Sequence, residues 1–138
     1  MPMLSFSTCD KCESHFGGLD YVMLFRLKDG TWKPLSHPGE HFIVDDILEK
    51  EGISVMSQTR EMIEERTGYA TVSFCLDCGD RVLTYCEITQ PNNYVPADKC
   101  QCGSKKLLSV CGMALSKKPI LCPKCKIGKL KCGGLGMS

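Results

Sequence analysis

The sequence predicts an α+β fold made of small β-hairpins with a short helical insertion. Three observations lead to this prediction. The 138 residues include 11 cysteines, and most of them stand in pairs separated by one or two residues. Short apolar segments bounded by glycine, proline or aspartate indicate strands. The stretch 43–67 places apolar residues at helical spacing, so the helices are expected there.

Residues 1–72 are predicted to form one part of the chain, with a cysteine turn, a β-hairpin and acidic helices. The apolar stretch 21–27 indicates a strand that follows the turn at Cys9–Cys12. Asp29-Gly30 is a hairpin turn signal, and residues 31–33 would form the returning strand.

Two helices are expected after this hairpin. Ile43, Ile47 and Leu48 have helical spacing, and Gly52 is expected to end the first helix. Ser57 is predicted to be the N-cap of the second helix.

Residues 73–138 are predicted to form a second, lysine-rich part, which could also be integrated with the first into one domain. Strands are expected at 70–74, 81–89 and 106–110, with a turn at 91–93. The glycine-rich segment 133–138 is expected to be frayed.

Metal ligation accounts for the cysteines better than disulfides do. Their number is odd, and Met1–Ser5 lacks the basic and apolar regions of a secretory signal. No run of about 18 apolar residues predicts a membrane span. We therefore expect a reducing compartment, cytoplasmic or nuclear, in which closely spaced cysteines bind metal.

Zinc accepts four thiolates at the corners of a tetrahedron, and two cysteines of one tight turn reach two of these corners. A glycine after the second cysteine helps the turn to close, as at Gly79 and Gly103. Four cysteine pairs therefore predict two Zn²⁺ ions per chain. The four pairs, in chain order, are Cys9 and Cys12, Cys75 and Cys78, Cys100 and Cys102, and Cys122 and Cys125.

The segment 73–112 resembles the zinc-ribbon class, in which two cysteine turns joined by strands bind one ion. The resemblance implies that the second and third pairs share a metal, which leaves the first pair to meet the fourth. Two alternatives stay open. The pairs could combine in sequence order, or Cys111 and Cys132 could complete a local site with the fourth pair.

The three remaining cysteines are expected outside the metal sites. Cys86 and Cys111 are predicted to be small buried side chains. Cys132 lies among lysines and is the strongest candidate for a spare ligand or a reactive thiol. Because four thiolates leave zinc no open position, the metals are expected to stabilise the fold and not to catalyse.

Residues 60–69 resemble the core of the Nudix box, the magnesium-binding helix of diphosphate hydrolases. The resemblance would assign Glu61, Glu64 and Glu65 to the metal. The family has one fewer residue between its paired glutamates and the following glycine than this chain has. An amphipathic helix with a solvated acidic face explains the same residues, and no enzyme is expected. A helix-turn-helix with Gly52 in its turn and residues 57–66 as its second helix is disfavoured, because the acidic surface argues against insertion into a DNA groove.

Residues 99–138 are strongly basic, although the net charge of the chain is +1. They contain nine lysines and neither arginine nor an acidic residue. This predicts an anionic partner, either the phosphate backbone of nucleic acid or an acidic protein surface. The lysines expected to contact it are Lys105, Lys106, Lys117, Lys118, Lys124, Lys126, Lys129 and Lys131.

The residue types that are missing from residues 99–138 indicate how this part would bind nucleic acid. No aromatic residue follows Tyr94, so the side chains on which bases stack are missing from it. Lysines contact phosphates as point charges and give affinity without sequence choice. As an alternative, the lysines could neutralise the thiolates and the acidic helices of the same chain.

The sequence therefore predicts a non-enzymatic zinc-ribbon adaptor of nucleic acid machinery, with neither a membrane nor a small-molecule substrate as partner. A protein-interaction module, such as an inhibitor or an assembly subunit, is the alternative. It would use the acidic helices and the Trp32 hairpin. The C-x-x-C-G turns also resemble the iron site of rubredoxins, which implies a redox protein as the third hypothesis.

Overall fold

The computed structural model describes residues 3–86 and 93–137. Within these residues the chain forms eight strands in two antiparallel sheets and three α-helices. The predicted mixture of sheet and helix is thus confirmed. In chain order the elements are β1 (Met3–Cys9), β2 (His15–Leu19), β3 (Tyr21–Arg26), β4 (Trp32–Pro34), α1 (Glu40–Lys50), α2 (Arg60–Glu65), β5 (Thr67–Cys75), β6 (Arg81–Thr84), β7 (Leu107–Ser109), α3 (Val110–Ala114) and β8 (Leu130–Met137).

The chain divides into two compact units. The first, called here the cysteine unit, comprises Met1–Tyr21, Thr71–Tyr85 and Pro96–Ser138. The second, the helical unit, comprises Val22–Ala70 and Cys86–Val95. The predicted boundary between residues 72 and 73 falls within β5.

A three-stranded antiparallel sheet with the order β2-β1-β8 lies in the cysteine unit. The central strand β1 alternates in burial: Ser5, Ser7 and Cys9 are buried on the face against which α3 packs. The pairing of β8 with β1 extends over Leu130–Met137. The expectation of a frayed segment 133–138 is therefore wrong for the backbone up to residue 137, because long-range pairing with β1 satisfies its hydrogen bonds.

The C-terminal half of β5 pairs with β6 and with β7 in the same unit. The strand predicted at 81–89 is seen as β6, and its residues 87–89 lie outside the described residues, as do 91 and 92 of the predicted turn. The strand predicted at 106–110 is β7. It stops at Ser109, whose Oγ accepts the amide hydrogen of Gly112 at 2.9 Å and so caps the unpredicted helix α3.

The helical unit is organised around β3, β4 and α1. The predicted hairpin of β3 and β4 is confirmed, and the Thr31 amide donates to Asp29 Oδ1 at 2.9 Å in its turn. Helix α1 ends at Lys50, and Gly52 follows with a φ of 87°, which confirms the predicted end of the helix. The buried core consists of Phe25, Leu35, Val44, Ile47 and Leu48.

Thr59, and not Ser57, caps α2. Its Oγ1 accepts the Met62 amide hydrogen at 3.2 Å. The predicted cap is wrong because Ser57 belongs to a short 3₁₀ turn, where its hydroxyl bonds that of Ser54 at 3.1 Å. None of the described helices is long and apolar enough to cross a bilayer.

Candidate metal centres

The first cysteine group joins Cys9 and Cys12 to Cys122 and Cys125. The turn after β1 supplies the first two, and a hairpin loop closed by the bridge between Leu121 and Lys129 supplies the others. The Sγ atoms of Cys9 and Cys125 are 3.6 Å apart, and those of Cys12 and Cys122 are 3.7 Å apart. All four sulfur atoms lie within 4.8 Å of one another.

The second cysteine group joins Cys75 and Cys78 to Cys100 and Cys102. The first two follow directly from β5, and the others precede β7. The Sγ atoms of Cys75 and Cys102 are 3.6 Å apart, and those of Cys78 and Cys100 are 3.5 Å apart. Both groups belong to the cysteine unit.

The sulfur positions fit a tetrahedral metal ion. Four thiolates at about 2.3 Å from a zinc ion would stand about 3.8 Å from one another, close to the 3.5–3.7 Å of these pairs. Each group could therefore hold one metal ion. Of the three combinations left open by the sequence, the structure has the one in which the first pair meets the fourth and the second meets the third.

Each cysteine turn contains a residue in the left-handed region directly after its second cysteine. This residue is Glu13 (φ 63°), Gly79 (φ 81°), Gly103 (φ 93°) or Lys126 (φ 63°). The sequence indicated only the two glycines. Glu13 and Lys126 adopt the same backbone conformation at an energetic cost, and these residue types do not predict it.

Backbone amides point at the sulfur atoms, as a bound thiolate requires. The amides of Lys11 and Cys12 donate to Cys9 Sγ at 3.3 and 3.4 Å. The Gly128 amide donates to Cys125 Sγ at 3.3 Å. A Cβ on Gly128 would lie 2.3 Å from Cys9 Sγ, so a side chain here would displace the first group.

The thiol pKa values in each group diverge. Hydrogen bonds with the side chain and amide of Ser14 lower the pKa of Cys12 to about 6, whereas burial above all raises the pKa of Cys122 to about 11. In the second group, burial opposes ionisation of Cys75, but the amides of Cys78 and Asp77 outweigh it and lower its pKa to about 6.

For Cys78 the balance is reversed. The Asp80 amide lowers its pKa, but burial and the thiols of Cys100, Cys75 and Cys102 outweigh this effect and raise it to about 12. Four sulfur atoms this close cannot all ionise unless a cation compensates their charge. A bound divalent ion would supply this compensation and favour the thiolate form of all four cysteines.

Lys126 and Lys124 connect the loop of the first group to the turn of the second. The ammonium group of Lys126 donates to the carbonyl oxygens of Leu76 and Asp77. The side chain of Lys124 covers Gly79, where an added Cβ would lie 2.8 Å from its Cε. The two groups are thus in direct contact through the chain segments that hold their sulfur atoms.

All eight lysines expected to contact an anionic partner are exposed. Three of them also interact with other residues of the cysteine unit. Lys124 and Lys126 contact the turn of the second group, as described above. The pKa of Asp77 is lowered mainly by the hydrogen bond between Asp77 and Ser104, and the charge of Lys106 lowers it further. Throughout residues 3–86 and 93–137, every ion pair lies in the helical unit, so none of these lysines forms one.

The remaining candidates stand apart from both cysteine groups. Cys86 is fully buried, as predicted, whereas Cys111 is only half-buried and so differs from the buried side chain that was predicted, and Cys132 is exposed. In the part of the chain that the structure describes, only the two cysteine groups bring potential metal ligands together. The glutamates of α2 that resemble a Nudix box form no such group, and Glu64 instead pairs with Arg60 at 2.8 Å.

Comparison of the chain with protein-family models, with curated proteins and with solved structures gave no match. The chemistry of the cysteine groups and of the surface around them therefore carries the functional argument.

Proposed function

We propose that the chain is a non-enzymatic zinc-ribbon adaptor, in which two Zn²⁺ ions stabilise the cysteine unit and its lysines bind the phosphate backbone of nucleic acid. The observation that carries the proposal is the pair of four-sulfur groups. A zinc ion with four thiolates has no coordination position left for water or substrate. Its role is then structural, in a reducing compartment such as the cytoplasm or the nucleus.

The composition of the buried clusters around the sulfur groups supports a structural role. In these two clusters the cysteines Cys9, Cys122, Cys75 and Cys100 are buried together with Phe16, Met113 and Val82. Metal–sulfur bonds would replace the apolar burial that so small a core cannot supply.

The placement of charge supports an anionic partner. The cysteine unit contains 11 basic and six acidic residues, and the helical unit six basic and ten acidic ones. Two tetrathiolate centres would add about four negative charges at the metal sites. Of the eight lysines expected to contact this partner, five are exposed and have no side-chain contact described above within the unit: Lys105, Lys117, Lys118, Lys129 and Lys131.

Metal content tests the first half of the proposal. Native mass spectrometry of protein purified without added metal should find two zinc ions per chain, and the solution should be colourless. Iron with thiolate charge-transfer bands in the visible spectrum would instead support the rubredoxin-like hypothesis. A chain that binds no metal would refute both.

The salt dependence of binding tests the second half. Affinity for a short DNA duplex should fall steeply with salt, and changing Lys117 and Lys118 to glutamate should reduce the slope of log K against log salt by about two. The matched control changes Lys28 and Lys33, two exposed lysines of the helical unit, to glutamate. Equal losses in both variants, or binding that is insensitive to salt, would contradict the proposal.

One observation favours the alternative of a protein-interaction module. The helical unit exposes Phe42, Val55 and Met56, whose exposed fractions are 69%, 64% and 95%. If this is the functional surface, nuclease-treated protein should retain a single protein partner, and changing these residues to serine should release it without affecting nucleic acid binding.

A further inference from the structure

The sheet of β2, β1 and β8 has a second face that α3 does not cover. Because side chains alternate along a strand, this outer face carries Leu4, Phe6 and Thr8 of the central strand β1. Phe6 is 42% exposed there.

Glycine stands on both sides of Phe6. Gly17 of β2 and Gly134 of β8 are its partners in the two ladders. A Cβ on Gly17 would lie 2.6 Å from Phe6 Cδ1, so the phenyl ring extends over Gly17 and depends on the missing side chain. The backbone at Gly17 thus supports the ring, which stays partly exposed.

The next row of the same face carries positive charge and hydrogen-bonding groups. Thr8 lies opposite His15 and Lys131, and its Oγ1 is 3.1 Å from His15 Nδ1. Lys129 is two residues before Lys131 and is also exposed. Asp10, an acid close to this row, accepts the Lys129 amide hydrogen at 2.9 Å.

We propose that this outer face binds single-stranded nucleic acid, with one base stacked on Phe6 and the adjacent phosphates held by Lys129 and Lys131. The inference rests on the proposed function and adds to it the site and the form of the nucleic acid. Phe6 supplies the stacking side chain that the lysine-rich part of the sequence lacks. Folding pairs Phe6 with Gly134 of β8, although the two residues are 128 positions apart in the chain.

Charge and shape favour a single strand over other partners. A base in a duplex is stacked on its neighbours and cannot reach a ring that lies in a sheet, whereas an unpaired base can. Thr8 is two residues from Phe6 along β1, about 7 Å away, and lysine reaches farther on its flexible stem. An acidic protein surface would be attracted by the lysines but would have no base to stack on the exposed ring of Phe6.

The test measures fluorescence anisotropy of the zinc-loaded full chain with three probes of equal length. These are an oligothymidylate of about 12 nucleotides, an abasic strand and a duplex. The oligothymidylate should bind about tenfold more tightly than the abasic strand. Phe6→Ala should remove about tenfold of its affinity and leave the abasic strand unaffected, whereas Phe6→Tyr should retain it.

Phe42→Ala is the matched control, because it removes an exposed phenyl ring from the helical unit. Native mass spectrometry should find the same metal content in all variants. Equal binding of all three probes, together with an unchanged Phe6→Ala variant, would overturn this inference but leave the proposed function standing. Failure of every probe to bind would refute both.

A second measurement needs no variant. An oligonucleotide carrying 5-iododeoxyuridine should crosslink to the wild-type chain on irradiation, and mass spectrometry should place the crosslink in the peptide that contains Phe6. Crosslinks found only in the helical unit would overturn the inference.

Discussion

The two units of this chain are stabilised by different means. The helical unit buries Phe25, Leu35 and the inner face of α1, and it contains all the ion pairs found among the described residues. The cysteine unit has the two sulfur groups in its buried clusters, and its lysines are exposed and form no ion pair among the described residues. Apolar burial and charge pairing stabilise the helical unit, whereas the cysteine unit has two groups of four sulfur atoms that could each hold a metal ion. Four predictions test this contrast, in order of decreasing effect.

Metal removal should separate the two units most strongly. Structural zinc contributes about 10–16 kcal/mol per site in small zinc peptides, more than most domains have in total stability. A strong chelator should therefore abolish hydrogen-exchange protection in the cysteine unit and leave Val22–Ala70 protected. Trp32, the single tryptophan of the chain, packs edge-on against Tyr94 in the helical unit, and its fluorescence should stay unchanged. Unfolding of both units together would show that the helical unit also depends on the metal ions.

A core substitution should have the reverse effect. Leu48 is fully buried at the centre of the helical core, so Leu48→Ala should lower the stability of that unit by about 2–5 kcal/mol. Urea unfolding followed by Trp32 fluorescence would measure the loss. Native mass spectrometry should still find the wild-type metal content, and a loss of metal would count against independent stabilisation.

The ion pair between Arg66 and Glu51 should contribute less, and in a pH-dependent way. Its two hydrogen bonds are 2.8 and 2.9 Å long, and both side chains are largely buried. Breaking it by Arg66→Met should cost about 2 kcal/mol. Arg60→Met, which removes an exposed pair with Glu64, should cost less than about 0.5 kcal/mol.

The pH dependence follows from Glu51. Hydrogen bonds from Arg66 lower its pKa, although burial acts in the opposite direction. A carboxyl whose pKa is lower in the folded state stabilises the fold above its ordinary pKa, and this contribution is lost as pH falls through the lowered pKa. The difference in stability between wild type and Arg66→Met should therefore shrink once the pH is below 4.5, the ordinary glutamate value. A constant difference would mean that Glu51 is not the responsible group.

The smallest effect is expected at Lys126, which joins the loops of the two cysteine groups. Lys126→Met keeps a non-glycine residue in the left-handed conformation but removes the hydrogen bonds to Leu76 and Asp77. We expect a loss of about 1 kcal/mol, seen as faster release of zinc to a chromophoric chelator. Lys129→Met, in the same loop, serves as control. Equal release rates in the two variants would mean that the Lys126 hydrogen bonds do not stabilise the metal centres.

The local features of this fold could be predicted from the sequence. The hairpin at Asp29-Gly30 and the end of α1 before Gly52 follow from residue types within a few positions of each other. The cysteine pairs likewise follow from their spacing. Each of these depends on interactions that are close in the chain.

Long-range pairing could not be predicted in the same way. Strand β8 contains Gly133, Gly134 and Gly136, which on their own indicate flexibility, and only β1 makes it a strand. The role of Phe6 was hidden for the same reason, because its glycine neighbours come from two distant segments. Helix α3 has five residues and contains Gly112, so its propensity is too weak to recognise without the cap that Ser109 provides.

The two cysteine groups also differ in how much chain each must enclose. Cys75 and Cys102 are 27 positions apart, whereas Cys9 and Cys125 are 116 apart. By loop-closure entropy alone, the larger loop costs about 1 kcal/mol more to close. During synthesis, the second group is complete once Cys102 has emerged from the ribosome, whereas the first must wait for Cys125. The ligands of the second group are therefore available to a metal ion before those of the first, in which the first strand meets the lysine-rich loop.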